Sequence, residues 1–242
     1  LMAGQSNMEG VGDMASPAKP HPLIRAFSMR REWRLATDPL HVLGESPDSC
    51  HAGQRQLSRE QGEAIRRTAK KGVGVGVFFA REMLARSGVP QGLIATAHGG
   101  TSMEQWNPAL KDRGGDSQYG SMILSMRATG QPVAGVLWYQ GESDSDGAPL
   151  EVYTEKMRGL VAAVRRDLRQ PRLPWLMVQI ATVYGSWGGP GWNRMQEQQR
   201  LLPSKIKNLE TVSAVDLPLD DNIHISPTAF PVLAARLARA AD

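Results

Sequence analysis

Cysteine is nearly absent: the 242-residue chain has one, Cys50. That excludes an intrachain disulfide framework and any metal site built from several thiolates. No apolar run approaches the roughly 20 residues that span a bilayer, so no membrane span is expected. Aromatic residues make up only 6%, and none is interleaved with the basic cluster Arg55, Arg59, Arg66, Arg67, Lys70 and Lys71. A solvated loop or helix face accounts for that cluster better than a nucleic-acid surface does, and a net charge of +4 is mild. Internal repeats, low-complexity tracts and domain linkers are missing too. Gly72-Val-Gly-Val-Gly76 follows Lys70-Lys71 rather than a strand, which removes a dinucleotide fingerprint. An initiating Met is also lacking, and the chain opens inside an apparent strand. A signal peptide or another domain is therefore expected upstream.

What is present reads as an ordinary globular protein, 41% hydrophobic and 21% charged. Residues 1–242 form one domain large enough to bury a full core. Buried strands are expected at Gly92–Ala97, Val133–Trp138, Trp175–Ile180 and Thr211–Asp216, with a short first strand at Leu1–Ala3. Helical patterns lie between them. Val75–Ser87 stops at Gly88, and Tyr119–Thr129 precedes Gly130. Val152–Leu168 puts Tyr153, Met157, Leu160, Val161, Val164 and Leu168 on one face. Trp192–Leu202 and Pro227–Ala241 complete the set, the last with Ser226 as N-cap. The Pro17–Lys71 segment is less regular, with one strand expected at 24–29 or at 33–36. Alternating strands and helices argue for an α/β fold with a mostly parallel sheet covered on both faces.

In such a sheet, ligands bind beyond the carboxyl ends of the strands. Those ends carry Gln5-Ser6-Asn7, His98-Gly99-Gly100-Thr101-Ser102, Tyr139-Gln140-Gly141-Glu142-Ser143-Asp144 and Asp221-Asn222-Ile223-His224. A hydroxyl on a tight turn, a glycine pair with free N–H groups, an amide beside a carboxylate, and Asp-x-x-His are the parts of an acyl-transfer site. Each has a plainer reading alone. The Ser6 turn is not GxSxG and is by itself only a turn, Gly99-Gly100 serves any loop, and His224 is one loop histidine. Glu142, Asp144 and Asp146 look like a metal or glycosidase cluster, though a solvated acidic loop suits the last two better. His98 is a competing base, better read as structural. Cys50 sits in loop-like sequence without the strand-to-helix setting a thiol nucleophile needs.

Together, Gly4-Gln-Ser-Asn-Met8, Gly99-Gly-Thr-Ser-Met-Glu-Gln-Trp106, Trp138-Tyr-Gln-Gly-Glu-Ser-Asp144 and Asp221-Asn-Ile-His224 resemble the four signature blocks of the sialate O-acetylesterase domain. That domain is grouped with carbohydrate esterase family 6, the acetylxylan esterases, in the SGNH/GDSL hydrolase superfamily. The resemblance implies a three-layer α/β/α sandwich around a five-stranded, mostly parallel sheet of flavodoxin-like order. It makes Ser6 the nucleophile, His224 the general base and Asp221 its orienting acid, with Glu142 a second candidate for the acid or a support. The oxyanion hole would be the Ser6 and Gly100 N–H groups and the Gln140 side chain. The residues that normally complete the first strand are missing from this sequence.

The expected activity is removal of O-acetyl groups from a carbohydrate such as acetylated xylan or sialic acid, through an acetyl-enzyme and without metal or organic cofactor. Gln5, Asn7, Trp106, Tyr139, Trp187 and Trp192 are candidates for substrate contact, while Trp138, on a strand, reads as core. A secreted or periplasmic location follows from the glycan substrate. Two rivals stand beside this reading: a glycoside hydrolase using Glu142 with Asp221 or Asp144, and a non-catalytic carbohydrate-binding domain.

Overall fold

The computed structural model describes residues 1–53, 56–185 and 188–242. β1 (Met2–Gly4) runs directly into the short helix α1 (Ser6–Glu9). Then come β2 (Gly12–Asp13), β3 (Ile24–Phe27), β4 (Trp33–Leu35), α2 (Ser49–Ala52), α3 (Arg59–Thr68) and β5 (Lys71–Val73). From α4 (Val75–Ser87) the chain alternates through β6 (Gln91–Ile94), α5 (Gln118–Ala128), β7 (Val136–Tyr139) and α6 (Gly147–Asp167). It ends with β8 (Trp175–Gln179), α7 (Trp192–Lys205), β9 (Leu209–Ser213) and α8 (Phe230–Ala241).

β1, β7, β8 and β9 lie side by side and parallel. β6 flanks β1 on its other side, joined by a parallel bridge from Met2 to Ala95. There the Thr96 N–H and hydroxyl both donate to Met2 O, at 3.1 and 2.8 Å. The order β6-β1-β7-β8-β9 is flavodoxin-like. β1 is thus an inner strand although only three residues long. β7 and β8 are buried along their whole length, as strands covered on both faces must be.

The strand count departs from the five expected. β3 pairs parallel with β6, and β4 antiparallel with β3. Both come from the Pro17–Lys71 segment, where one strand was expected. A turn at Arg31, whose N–H donates to Ser28 O at 2.8 Å, folds the two candidate stretches into a hairpin, so both become strands. β2 and β5 add a small antiparallel pair outside the main sheet.

Winding reverses at β1, since β6 lies to one side and β7 to the other. Right-handed crossovers then place α4 on one face, where it packs on α8, and α5, α6 and α7 on the other. α4 begins and ends where its sequence pattern does. α6 starts at Gly147 rather than Val152, because Asp146 caps it by accepting the Gly147 N–H at 2.8 Å. Asp146 is therefore a helix cap rather than a member of an acidic cluster. Ser226 makes no side-chain cap: Pro227–Ala229 forms a tight 3₁₀ turn ahead of α8. α3 opens with a reciprocal capping box between Ser58 and Gln61.

The basic cluster is mostly paired within the chain. Arg66 is buried between Glu45 and Glu63, Arg59 meets Glu32 at 2.7 Å, and Lys71 meets Asp220 at 3.2 Å. Arg55 lies outside the described residues. Among the described residues no helix is long and apolar enough to cross a membrane.

Candidate active site

The reversal at β1 lies beside the carboxyl ends of β1, β6 and β7, where open α/β sheets bind their ligands. β1 approaches β7 closely there, with Gln5 N–H donating to Tyr139 O at 2.8 Å. Ser6 follows as the first residue of α1, so its N–H has no partner within the helix. Beyond β6 the chain turns at Gly99 and Gly100, the latter in the left-handed region at φ 70°. Among the described residues, neither the Ser6 nor the Gly100 N–H meets a backbone acceptor.

The loop after β9 brings His224 to the serine from 218 residues away, with Nε2 2.9 Å from Ser6 Oγ. Its Nδ1 lies 2.8 Å from Asp221 Oδ2. Asp221 Oδ1 also accepts the Ile223 and His224 N–H groups, each at 2.8 Å. Partial burial would raise the Asp221 carboxyl, but the His224 ring and these two N–H groups hold it below its ordinary value. A charged Asp221 keeps the proton on His224 Nδ1 and leaves Nε2 free to accept from Ser6.

The remaining candidates support this line from beneath. Asn7 is buried, and its amide ties three elements together. Nδ2 donates to Glu142 Oε1 at 2.9 Å and Ile223 O at 3.2 Å, while Oδ1 accepts Ile225 N–H at 2.9 Å. It clamps the His224 loop to the Ser6 turn instead of facing a ligand. Gln5 is buried as well; with its amide turned so that the nitrogen faces the surrounding acceptors, it donates to Thr101 O at 3.3 Å and Glu142 Oε2 at 3.2 Å. Glu142 is thus an acceptor for Asn7 and Gln5, and burial raises its carboxyl. Asp221, not Glu142, holds the His224 ring.

Gln140 is placed differently from the sequence expectation. It is fully buried, and its amide nitrogen donates to Thr101 O at 3.1 Å and to Asp144 Oδ2 at 2.5 Å. Both hydrogens face acceptors inside the protein, which leaves the Gln140 amide nitrogen no free N–H to offer a ligand. Asp144 is buried too and also accepts the Met103 N–H at 2.9 Å. That removes it as a partner for Glu142 across a glycosidic bond.

The aromatic candidates are core. Trp106 is buried against Trp138, which packs on Trp175. Tyr139 is buried, with its hydroxyl accepting the Ala181 N–H at 3.2 Å, and Trp192 donates to Ala181 O at 2.8 Å. Trp187 lies outside the described residues. An aromatic that sequence reading passed over is Tyr184, 60% exposed, whose N–H donates to Asn222 O beside the His224 loop at 2.9 Å. Glu9, three residues after Ser6, was also passed over. Its Oε2 accepts the Gly99 N–H at 2.6 Å.

His98 does not reach Ser6. Its Nδ1 lies 3.0 Å from His51 Nδ1 and 3.1 Å from the Gln118 amide, and its ring stacks on His51. Cys50 sits in α2, and burial pushes its thiol up to about 12, away from the reactive thiolate. Burial, followed by the fields of His98, His41 and Arg31, pushes His51 down to about 3. Between the ordinary histidine value and that one, the unfolded chain binds a proton that the fold refuses. Stability from this group is therefore present above pH ~6.5 and lost as the pH falls toward 3. H51Q is expected to melt below wild type at pH 7.5. By pH 4.5 its Tm should gain roughly 5 °C relative to wild type, corresponding to about 2 kcal/mol. Thermal melts at the two pH values check this, and a pH-independent gap would contradict it.

A mostly parallel sheet, flanked by helices and carrying serine, histidine and aspartate in line at its strand ends, defines a hydrolase of the α/β-sandwich type. Residues 1–242 match the family model described as carbohydrate esterase, sialic acid-specific acetylesterase. The chain belongs to that family and is a carbohydrate acetylesterase by class. It is 31% identical to an Arabidopsis thaliana protein described as a probable carbohydrate esterase, covering 99% of this chain and 88% of that protein. The crystal structure of the Arabidopsis protein superposes with a TM-score of 0.78 at 30% identity, covering 99% and 95% of the two chains. A carbohydrate acetylesterase of Xanthomonas citri superposes with a TM-score of 0.72 at 25% identity, covering 99% of this chain and 54% of the other.

Proposed function

We propose that this enzyme hydrolyses O-acetyl esters of a carbohydrate by a serine mechanism centred on Ser6. The observation that carries the reading is the continuous line from Ser6 Oγ through His224 to Asp221, with steps of 2.9 and 2.8 Å. His224 Nε2 takes the Ser6 proton as Oγ attacks the acetyl carbonyl, and the tetrahedral oxyanion forms at the Ser6 and Gly100 N–H groups. Collapse breaks the bond to the sugar oxygen, which leaves with the proton from His224. Water, activated by the same histidine, then releases acetate and restores Ser6. Gln140, bonded to Thr101 O and Asp144, keeps the loop after Gly100 in place from below.

The glycosidase rival receives no support from the carboxylates. Glu142 is tied to Asn7 at 2.9 Å, and Asp144 is bonded to Met103 N–H and Gln140. A binding-only module leaves the Ser6–His224 pairing without a use. An acetylated glycan as substrate supports a secreted or periplasmic location. The test is acetate release by the purified chain from acetylated xylan, O-acetylated sialic acid and p-nitrophenyl acetate. Intact glycan backbones with free acetate support the reading, whereas glycosidic cleavage without acetate refutes it.

Tyr184 offers a stacking face for a sugar ring beside the loop that carries His224. Y184A is expected to raise KM for an acetylated glycan roughly fivefold, the equivalent of about 1 kcal/mol. Its kinetics on p-nitrophenyl acetate, which carries no sugar, should match wild type. Parallel steady-state assays on the two substrates make the comparison.

A further inference from the structure

We propose that Glu9 is a positioning residue for the oxyanion hole, holding the Gly99–Gly100 turn over Ser6 through its bond to the Gly99 N–H. The inference rests on the serine mechanism proposed above.

Ser6 and Glu9 are three residues apart on α1, so their side chains share one face of that turn. Gly99 lies directly over this face. A Cβ built on Gly99 would come within 3.1 Å of Glu9 Oε2 and 3.5 Å of Ser6 Cβ. The carboxylate accepts the Gly99 N–H at 2.6 Å, and the next N–H along the chain is the proposed oxyanion donor of Gly100. Glu9 therefore fixes the orientation of the peptide unit preceding that donor.

The flanks of the turn are anchored independently. His98 N–H donates to Gly4 O at 3.0 Å, the Thr101 hydroxyl donates to His98 O at 2.7 Å, and Thr101 O accepts from Gln140. The apex has no such packing, since nothing lies within 4 Å of where a Gly100 Cβ would be. Glu9 supplies the missing restraint, and it is itself held: its backbone oxygen is 2.7 Å from His41 Nδ1. Burial pushes its carboxyl up to about 7, against the pull of the Gly99 N–H and the nearby His224. A carboxyl so placed spans both protonation states near neutrality, and either keeps an oxygen that can accept from Gly99.

Two substitutions separate the bond from the charge. E9D keeps the charge but shortens the side chain by one methylene, so it no longer reaches Gly99. E9Q loses the charge and keeps an acceptor oxygen in place. On p-nitrophenyl acetate, E9D is expected to lower kcat about tenfold to a hundredfold while KM stays within roughly twofold. E9Q should stay within about threefold of wild-type kcat, rescuing what E9D loses. If E9D does not fold, G99A presses on the same carboxylate from the other side and should give the same loss of kcat with KM retained.

E9D, or G99A in its stead, at wild-type kcat overturns the proposal, and so does E9Q falling as far as E9D. S6A run beside them distinguishes the two levels of inference. An inactive S6A with a fully active E9D removes Glu9 alone, whereas an active S6A removes the serine mechanism and this proposal with it.

Discussion

S6A is expected to lower kcat/KM for acetate release by about 10⁴-fold or more, with Tm close to wild type. The side chain is partly exposed at the end of β1, and its hydroxyl bonds within the protein to the His224 ring at 2.9 Å. Removing it leaves no buried polar group stranded, so the loss falls on chemistry rather than on folding. H224A is expected to cost a similar factor, and the double variant little more than either, because nucleophile and base act as one unit. D221N keeps the shape but loses the charge that fixes the His224 tautomer. The residual rate in all of these is expected from the proposed backbone donors of Ser6 and Gly100, whose N–H groups stay in place in these variants. Steady-state kinetics on p-nitrophenyl acetate and an acetylated sugar, with thermal melts of each variant, decide the matter. Acetate release by S6A at the wild-type rate would falsify the mechanism.

The main line of this site was legible because each of its parts is a short local motif, although Ser6 and His224 lie 218 residues apart. Asp221 and His224 are three residues apart, and a loop turn alone lets one carboxylate meet both the ring and its backbone N–H. Ser6 was legible as a strand-end turn, and the bounds of α4 from its apolar pattern and Gly88. What sequence could not carry is direction. Trp106, Tyr139 and Trp192 stand near strand ends in the chain, but each indole or phenol turns inward to a core hydrogen bond. Gln140 is a donor by type, yet the Asp144 carboxylate four residues later and Thr101 O both lie within its reach and are stronger claims on a buried amide than open solvent. Glu9 shows the same limit from the other side. Its spacing from Ser6 is plain in the sequence, while its partner Gly99 is 90 residues away and becomes visible only once β6 lies beside β1. The β3–β4 hairpin was half legible, since each strand is short and its pairing with β6 is non-local.

G4A is expected to be the most damaging small substitution at this end of the sheet, costing about 3–5 kcal/mol and lowering Tm by roughly 10 °C. Gly4 is the last residue of β1 and sits at φ 124°, a conformation that L side chains rarely adopt. A methyl group there would also overlap the Tyr139 carbonyl, which is backbone and cannot turn aside. That carbonyl accepts the Gln5 N–H at 2.8 Å, the bond that sets Ser6 against β7. Gly4 O in turn accepts the His98 N–H at 3.0 Å, the anchor ahead of Gly99 and Gly100. One methyl group therefore strains the Ser6 turn and the Gly99–Gly100 turn together. G4A should lose kcat even in the fraction that remains folded, where a mutation acting through stability alone would preserve it. Thermal melts combined with active-site titration of the folded fraction separate the two effects. A folded G4A with wild-type kcat would show that the close approach of β1 to β7 is not what aligns the site.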